Sequence, residues 1–290
     1  MYWLELIILT LYTGALSFIF VYSISQLNLV YKYRKAKRKN LLPQIPEIPA
    51  DYNHPVVTVQ LPVYNELYVV ERLIDAVASL EWPKDKLEIQ VLDDSNDETV
   101  DLIAAKVAEW QAKGIDIAQV RRPERKGFKA GALQYGMKIA KGEFIAIFDA
   151  DFVPEKDFLK NTVPHFAHDE KIGVVQSRWG HINENYSMLT KLQAFGLNTH
   201  FFVEQNGRSS GGHFLNFNGT AGVWRKSCIN DAGGWKADTL TEDLDLSYRA
   251  QLKGWQIFYV SNTVAPAELP AAMGAIKSQQ YRWTKGAAET

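Results

Sequence analysis

Two pairs of acidic residues follow two apolar runs of the sequence, and each run has the length of a buried strand. The pairs are Asp93 with Asp94, after residues 89–92, and Asp149 with Asp151, after residues 144–148. Asp149 and Asp151 are two positions apart, so their side chains point the same way in an extended chain. Two such carboxylates repel each other unless a cation joins them, and oxygen ligands suit Mg²⁺ or Mn²⁺. The pattern predicts a divalent-metal site, against the alternative that the acids only begin solvated turns.

The segments around these acids alternate between strand and helix patterns. Apolar runs predict strands at 56–63, 87–92, 117–120, 144–148, 172–176, 217–224 and 257–260. Helical spacing or composition occurs at 70–77, 100–107, 128–140 and 187–210. Such alternation indicates an α/β domain with a mainly parallel central sheet. Ligands of these sheets bind outside the carboxyl ends of the strands, where both acidic pairs would lie.

The first part of the chain predicts a transmembrane helix. Residues 6–26 carry no charge and are mostly apolar, and about 20 such residues cross the hydrocarbon core as a helix. Six positive charges follow within residues 32–39, whereas a signal peptide carries its charge before the apolar run. The basic flank is expected on the cytoplasmic side of the inner (cell) membrane. A buried core helix would explain the apolar run but not this flank.

The composition excludes several classes of function. The 290 residues carry 32 basic and 33 acidic side chains, and this net charge of −1 gives no case for nucleic-acid binding. One cysteine, Cys228, excludes an intrachain disulfide framework and a cysteine-cluster zinc site. Gly131 and Gly136 approach the spacing of a phosphate-binding loop, but Met137 follows and no Ser or Thr comes after Lys138. This incomplete motif argues against a P-loop NTPase. The sequence also has no Gly-x-Gly-x-x-Gly, which argues against a dinucleotide-dependent dehydrogenase.

Two further groups of residues lie towards the end of the chain. Glu242 and Asp243 follow Thr241, which by itself favours a helix N-cap with acids in the first turn. Arg282 stands beside Trp283. An arginine here could hold a phosphate while the indole stacks on a sugar face. An amphipathic interfacial helix explains the same residues, and the two interpretations are compatible.

Six motifs follow one another in order along the chain. They are Leu61-Pro-Val-Tyr-Asn-Glu66, Asp93-Asp94-Ser95, Lys126-Gly-Phe-Lys-Ala-Gly131, Asp149-Ala-Asp151, Thr241-Glu-Asp243 and Gln279-Gln-Tyr-Arg-Trp283. In this order they resemble the motifs of the membrane-bound family 2 glycosyltransferases, which include cellulose, mannan and hyaluronan synthases and ceramide glucosyltransferase. The resemblance covers residues 55–290. Stretches 90–95, 146–152, 217–224 and 232–235 look most like the cellulose-synthase-like glucomannan synthases.

The resemblance implies a GT-A fold, a nucleotide-diphospho-sugar donor (UDP-glucose or GDP-mannose), a divalent metal, Mg²⁺ or Mn²⁺, and inversion at the anomeric carbon. The positions that match donor contacts are Tyr64, Glu66, Asp93, Asp94, Lys129, Asp149 and Arg282. The metal positions are Asp149 and Asp151, with Asp151 favoured as ligand. The catalytic positions are Asp243, as general base, and Glu242 beside it; the acceptor positions are Gln279 and Trp283. A carboxylate can take the proton that an attacking hydroxyl loses, and cationic groups can stabilise the departing diphosphate.

These observations divide the chain into four expected segments. Residues 1–27 form a transmembrane helix, 28–54 a basic, proline-rich cytoplasmic tether, 55–268 the GT-A catalytic domain, and 269–290 an amphipathic interfacial helix. Polymer-making members of the family have further membrane helices after the last motif. We therefore expect the chain to be a fragment of a longer open reading frame.

Several functions remain open at this point. The leading hypothesis is a processive enzyme that extends a β-linked polysaccharide at the membrane. A non-processive transferase that glycosylates a lipid is the alternative, and an inactive sugar-binding subunit is disfavoured by the intact acids Asp149, Asp151 and Asp243. A sugar-1-phosphate nucleotidyltransferase would need a glycine-rich stretch where residues 63–66 lie. The donor sugar, its base and the acceptor are not decided by the sequence.

Overall fold

The structure, a computed structural model, describes residues 2–49 and 51–290 and is built around a central β-sheet. The strands are β1 (Val57–Val63), β2 (Leu87–Asp93), β3 (Asp116–Val120), β4 (Phe144–Ile147), β5 (Ile172–His181), β6 (Gly222–Arg225) and β7 (Gln256–Ala267). They lie in the order β3-β2-β1-β4-β6-β5-β7. β1 pairs in parallel with β2 and β4, β2 with β3, and β5 with β7, whereas β6 is antiparallel to β4 and β5. The predicted α/β class with a mainly parallel sheet is confirmed.

Helices pack on both faces of this sheet. The helices of the described residues are α1 (Tyr2–Arg38), α2 (Val70–Ala78), α3 (Thr99–Ala112), α4 (Phe128–Met137), α5 (Phe158–Thr162), α6 (Met188–Thr199), α7 (Asn206–Ser210), α8 (Lys226–Asp231), α9 (Glu242–Leu252) and α10 (Met273–Glu289), and not all of them lie on the sheet. The residues His200–Gln205 form a π-helical turn between α6 and α7, and 3-10 turns lie at Lys84–Lys86 and Val163–Ala167. Side chains of α2, α3 and α5 join the hydrophobic core on one face, and those of α4, α8 and α9 join the core on the other.

The strand that precedes the acidic pair 149/151 is buried on both faces. Phe144 and Ala146 belong to the first core, and Ile145 and Ile147 belong to the second. Successive side chains of a strand point to opposite faces, so a strand covered on both sides is apolar throughout. This explains why the sequence shows an unbroken apolar run before Asp149.

Among the described residues, one helix, α1, is long and apolar enough to cross a membrane. It spans 37 residues and continues through the basic cluster to Arg38. The helix therefore continues beyond residue 27, the expected end of the membrane-spanning segment, and the segment without helix or strand begins only after Asn40. Near its end α1 packs on α7, where a Cβ atom on Gly207 would lie 2.6 Å from the carbonyl oxygen of Leu29. Lys32 Nζ lies 2.6 Å from His213 Nε2 at the same junction.

Three predicted strands differ from the structure by more than one residue at an end. β5 and β7 are longer than predicted, because they continue through polar residues that an apolar pattern does not include. The strand predicted at 217–224 is wrong over its first part, since only Gly222–Arg225 is a strand. Residues 217–221 form a loop instead. Gly219 and Ala221 have φ angles of +80° and +55°, which do not fit a regular strand.

Candidate active site

The carboxyl ends of three neighbouring strands bring the predicted acids to one edge of the sheet. Val63, the last residue of β1, is in register with Asp93 at the end of β2. β4, on the other side of β1, ends just before Asp149. Parallel strands expose their carboxyl ends at the same edge, which forms the ligand-binding crevice of an open α/β sheet. Both acidic pairs therefore lie at this crevice.

Lys129 joins the first turn of α4 to the acids that follow β4. Its Nζ atom donates to Asp149 Oδ1 at 2.5 Å and to the carbonyl oxygen of Gly219 at 3.0 Å. Burial acts to lower the pKa of Lys129, but the charges of Asp149, Glu242 and Asp243 together raise it. The side chain is therefore an ammonium group at neutral pH. It is a fixed positive charge between the end of β4 and the start of α9.

Glu242 and Asp243 open helix α9 beside this ammonium group. Burial raises the pKa of Asp243 to about 7, the charge of Glu242 adds to the rise, and Lys129 opposes it. Burial also raises the pKa of Glu242, against the opposing charges of Lys129 and Arg282. A Cβ atom on Gly219 would lie 3.2 Å from Asp243 Oδ2. Asp243 is thus a recessed carboxylate that can exchange a proton near neutral pH.

The expected capping role of Thr241 is wrong in one respect. Thr241 occupies the N-cap position of α9, but its side chain makes no capping hydrogen bond. Instead, helix α10 packs closely against it, since a Cβ atom on Gly286 would lie 2.5 Å from Thr241 Cγ2. This close approach fixes α10, with Arg282 and Trp283, beside the start of α9.

Glu66, Asp149 and Asp151 form a group of interacting carboxylates. Burial raises the pKa of Asp151 to about 7, and the charges of Asp149 and, more weakly, Glu66 add to the rise. Burial raises the pKa of Glu66 as well, with a further rise from Asp149. Within residues 2–49 and 51–290 no three His, Cys, Asp or Glu side chains are arranged to hold a metal ion on their own. Asp149 and Asp151 still fit Mg²⁺ or Mn²⁺, which commonly take one or two carboxylates and complete their shell with substrate phosphates.

The two acids at the end of β2 have different surroundings. The carboxylate of Asp93 is fully buried and accepts hydrogen bonds from the Ser95 backbone N–H at 2.8 Å, from Gln119 Nε2 at 2.8 Å and from Arg121 at 3.0 Å. These partners belong to the loop after β2, to β3 and to the residue after it. Asp93 therefore holds the crevice wall together, and its role as a donor contact remains a prediction.

Asp94 lies nearer the open crevice, in a group of arginines and one tyrosine. Arg122 binds its carboxylate with two hydrogen bonds, Nε to Oδ1 at 2.7 Å and Nη2 to Oδ2 at 2.5 Å. The Arg125 guanidinium lies 3.9 Å from Asp94 Oδ2 and 3.2 Å from the centroid of the Tyr64 ring. The structure thus brings the predicted residues Tyr64 and Asp94 together through Arg125, a residue that no motif indicated.

A cavity of about 510 Å³ lies beside Asp243, which forms part of its lining. The residues that line it include Trp179, Phe201, Asn216, Asn218, Asp243, Gln279 and Trp283. The ring centroids of Trp179 and Trp283 are 6.4 Å apart, and those of Trp179 and Phe201 are 5.1 Å apart. Asn216 Oδ1 and Asn218 Nδ2 are buried and have no hydrogen-bond partner among the described residues. Aromatic faces with unused amide groups suit a carbohydrate, whose rings are apolar on one face and whose hydroxyl groups need partners.

Sequence reasoning missed several residues of the site. Trp179 lies in the part of β5 that was not predicted, and no motif includes it. The Gly219 carbonyl accepts from Lys129, and the Thr220 hydroxyl accepts from the Asp149 backbone N–H, but the sequence pattern predicts a strand here. The signal that could have found it is the Asn-Gly-Thr order, which is typical of turns.

Comparison with known proteins identifies the family. The family described as "Glycosyltransferase like family 2" matches residues 54–286. The "Probable glucomannan 4-beta-mannosyltransferase 4" of Oryza sativa subsp. japonica is 50% identical over 238 residues, which are 81% of this chain and 43% of the relative. "Glucomannan 4-beta-mannosyltransferase 9" of Arabidopsis thaliana is 46% identical over 239 residues, or 81% of this chain and 45% of the relative. The chain thus spans less than half the length of these curated relatives, and the resemblance inferred from its motifs is confirmed.

Solved structures show the same fold at lower identity. The mannosyltransferase PcManGT from Pyrobaculum calidifontis, in complex with GDP-Man and Mn²⁺, has a TM-score of 0.68 and 23% identity, covering 92% of this chain and 72% of its own. S. aureus TarS 1–349 in complex with UDP-GlcNAc has a TM-score of 0.56 and 18% identity, covering 75% and 59%. These similarities confirm the predicted GT-A-like α/β fold.

Proposed function

This chain belongs to glycosyltransferase family 2 and is a glycosyltransferase, and we propose that it transfers mannose from GDP-mannose to the end of a β-linked glycan. The observation that carries this proposal is the position of Lys129 and Gly219, which connect the Asp149 side of the site to Asp243. A donor group and an acceptor group could therefore meet at this point. The names of the relatives at 46–50% identity support mannose as the sugar.

The donor would bind at the carboxyl ends of β1, β2 and β4. Tyr64, Asp94 and Arg125 lie at one side of the crevice and suit the nucleoside, since an arginine over an aromatic ring offers a stacking face. Lys129 and Arg282 would neutralise the diphosphate as negative charge develops on it. Asp149 and Asp151 would hold Mn²⁺ or Mg²⁺, which when bound supplies further charge stabilisation to the leaving diphosphate.

Asp243 would act as the general base. The acceptor hydroxyl attacks C1 of the mannose from the side opposite the diphosphate, and its proton passes to the Asp243 carboxylate. The bond from C1 to the diphosphate oxygen breaks as the new bond to the acceptor oxygen forms, so the configuration inverts. Asp243 is preferred to Glu242 for this role because Asp243 lines the cavity in which the acceptor would lie, whereas Glu242 does not line it.

The acceptor chain would lie in the cavity beside Asp243. Trp179 and Trp283 would stack on the sugar rings, and Asn216, Asn218 and Gln279 would bond the hydroxyl groups. A cavity of about 510 Å³ has room for a small number of sugar rings. Such a cavity favours a glycan acceptor, because several aligned rings can use all of its aromatic surface.

Helix α1 would anchor the enzyme in the inner (cell) membrane, with the catalytic domain in the cytoplasm. Its apolar part is exposed on the protein and is long enough to span the bilayer. The basic residues of its last turns would lie at the cytoplasmic lipid surface. The packing of α1 on α7 would hold the active site at a fixed distance from the membrane.

The proposal is tested with membranes that carry the full chain, Mn²⁺ or Mg²⁺, and radiolabelled GDP-mannose or UDP-glucose in separate reactions. A manno-oligosaccharide serves as acceptor, and the labelled product is sized and digested with a β-mannanase. We expect label from GDP-mannose in a β-mannanase-sensitive oligosaccharide. Label from UDP-glucose only, or label only in a lipid extract, would contradict the proposed donor or acceptor.

A further inference from the structure

Gln176 is a buried side chain of β5 that binds the loop 218–221 with both ends of its amide. Its Oε1 accepts the backbone N–H of Asn218 at 3.0 Å. Its Nε2 lies 2.9 Å from the carbonyl oxygen of Ser177 on its own strand, and 3.2 Å and 3.1 Å from those of Thr220 and Ala221 in the loop. Only 1% of the residue is exposed, so water cannot replace these hydrogen bonds.

The same loop lies against three charged residues of the proposed active site, Lys129, Asp149 and Asp243. The Gly219 carbonyl accepts from Lys129 Nζ, and Gly219 faces the Asp243 carboxylate without a side chain between them. The Thr220 hydroxyl accepts the backbone N–H of Asp149 at 2.9 Å. The position of this loop therefore decides where Lys129, Asp149 and Asp243 lie relative to one another.

The conformation of the loop needs support from outside. Ala221 has a φ angle of +55°, a left-handed conformation that is unfavourable for a residue with a Cβ atom. Such a conformation persists only where the surroundings impose it. Gln176 contributes to this support through its Oε1, which accepts from the Asn218 N–H, and its Nε2, which lies near the Thr220 and Ala221 carbonyls. The Ser177 hydroxyl also donates to the Ala221 carbonyl, at 2.6 Å.

We propose that Gln176 is a positioning residue that aligns the donor-binding pair Lys129–Asp149 with Asp243 through the loop 218–221. The proposal rests on the function proposed above for these residues. Gln176 touches neither donor nor acceptor in this arrangement, and its effect passes through the loop. Loss of its amide should let the loop relax, so that Lys129 loses the Gly219 carbonyl and the two halves of the site move apart.

The test replaces Gln176 by methionine, which keeps the length and the unbranched shape of the side chain but removes the amide. The matched control is Gln90→Met, because Gln90 is equally buried in the same sheet but its side chain bonds only Gln60 among the residues that the structure describes. Three quantities are measured on the full chain in nanodiscs: the melting temperature, hydrogen exchange of peptides covering residues 215–224, and the kinetics of transfer. Gln176→Asn is added as a variant whose amide is one methylene too short to reach the loop.

We expect both methionine variants to stay folded, with the lower melting temperature in Gln176→Met because it leaves more buried polar groups unpaired. Only Gln176→Met should show faster exchange in residues 215–224, with kcat/KM for GDP-mannose lower by about 10²-fold, as expected for a misaligned site. Gln176→Asn should resemble Gln176→Met, because its shorter amide does not reach the loop. Equal exchange in the two methionine variants, or an equal loss of transfer, would overturn the proposal. If the wild-type chain does not use GDP-mannose, the proposed function fails, whereas the exchange of residues 215–224 still decides whether Gln176 holds the loop.

Discussion

The ammonium group of Lys129 lies 2.5 Å from the carboxylate of Asp149, and the pair bridges α4 and the end of β4. The two residues are 20 positions apart in the chain, and neither is fully exposed. This ion pair is the point at which the proposed donor side of the site meets the loop 218–221, whose Gly219 faces Asp243. Removing Lys129 leaves Asp149 without its nearest positive charge, whereas removing Asp149 leaves Lys129 with the charges of Glu242 and Asp243.

Lys129→Gln should therefore raise the KM for the nucleotide-sugar and lower kcat, with a combined loss of about 10²-fold in kcat/KM. The physical reason is the loss of the positive charge that faces the diphosphate as it departs. The control is Lys138→Gln, which changes an exposed lysine just after the same helix. A similar effect of the two substitutions in steady-state kinetics would remove Lys129 from the donor site.

Asp243→Asn should abolish transfer while donor binding is retained. An amide cannot accept the proton of the acceptor hydroxyl, so kcat should fall by about 10²–10⁴-fold. Equilibrium binding of GDP should stay within about twofold of the wild type. Asp101→Asn, an exposed position on α3, is the control. Full transfer by Asp243→Asn would exclude Asp243 as the base and leave Glu242 as the candidate for this role.

Much of this site follows from the sequence, because acids placed directly after apolar strands must lie at one edge of a parallel sheet. Asp149 and Asp151 were found in this way. The different surroundings of Asp93 and Asp94 were not, since adjacent side chains of a strand face opposite sides and their partners, Arg121 and Arg122, come from another part of the chain.

The loop 218–221 could not be predicted, for a related reason. Its left-handed residues are held by Gln176 on a strand more than 40 positions away. A strand pattern in the sequence reports apolar side chains, but it does not report a backbone that tertiary hydrogen bonds hold out of the sheet. Trp179 was missed because an isolated tryptophan in a strand does not differ from a core residue.

Asp151→Asn should weaken the response of the enzyme to divalent metal. A chelator should abolish transfer by the wild type, and added Mn²⁺ should restore it. Loss of a residue that only supports a metal ligand already weakens metal binding roughly tenfold. In the variant, the Mn²⁺ concentration for half-maximal activity should therefore rise by at least this factor. Asp157→Asn, an exposed position at the start of α5, is the control. An unchanged Mn²⁺ titration of Asp151→Asn would contradict the assignment of Asp151 as ligand.

Trp283→Ala should raise the KM for the oligosaccharide acceptor by about tenfold, which corresponds to the loss of one stacked ring. The KM for GDP-mannose should change little, because Trp283 lines the cavity beside Asp243 and not the crevice near Asp94. Tyr281→Ala is the matched control, since Tyr281 lies on the same helix, is exposed and does not line the cavity. If both variants raise the acceptor KM equally, the effect comes from the helix and not from stacking on a sugar.

The rate of transfer should rise with pH through about 7, because only the ionised form of Asp243 can accept a proton and burial raises its pKa to about 7. The initial rate at saturating GDP-mannose and saturating Mn²⁺, measured from pH 5.5 to 8.5, should therefore increase through about pH 7 and then level off. The opposite sign applies to stability. An unfolded aspartate ionises near pH 4, so the folded state binds the proton more tightly and the free energy of unfolding falls as pH rises from about 4 to about 7. Asp243→Asn should remove this contribution to both profiles, and an unchanged stability profile in that variant would show that another group is responsible.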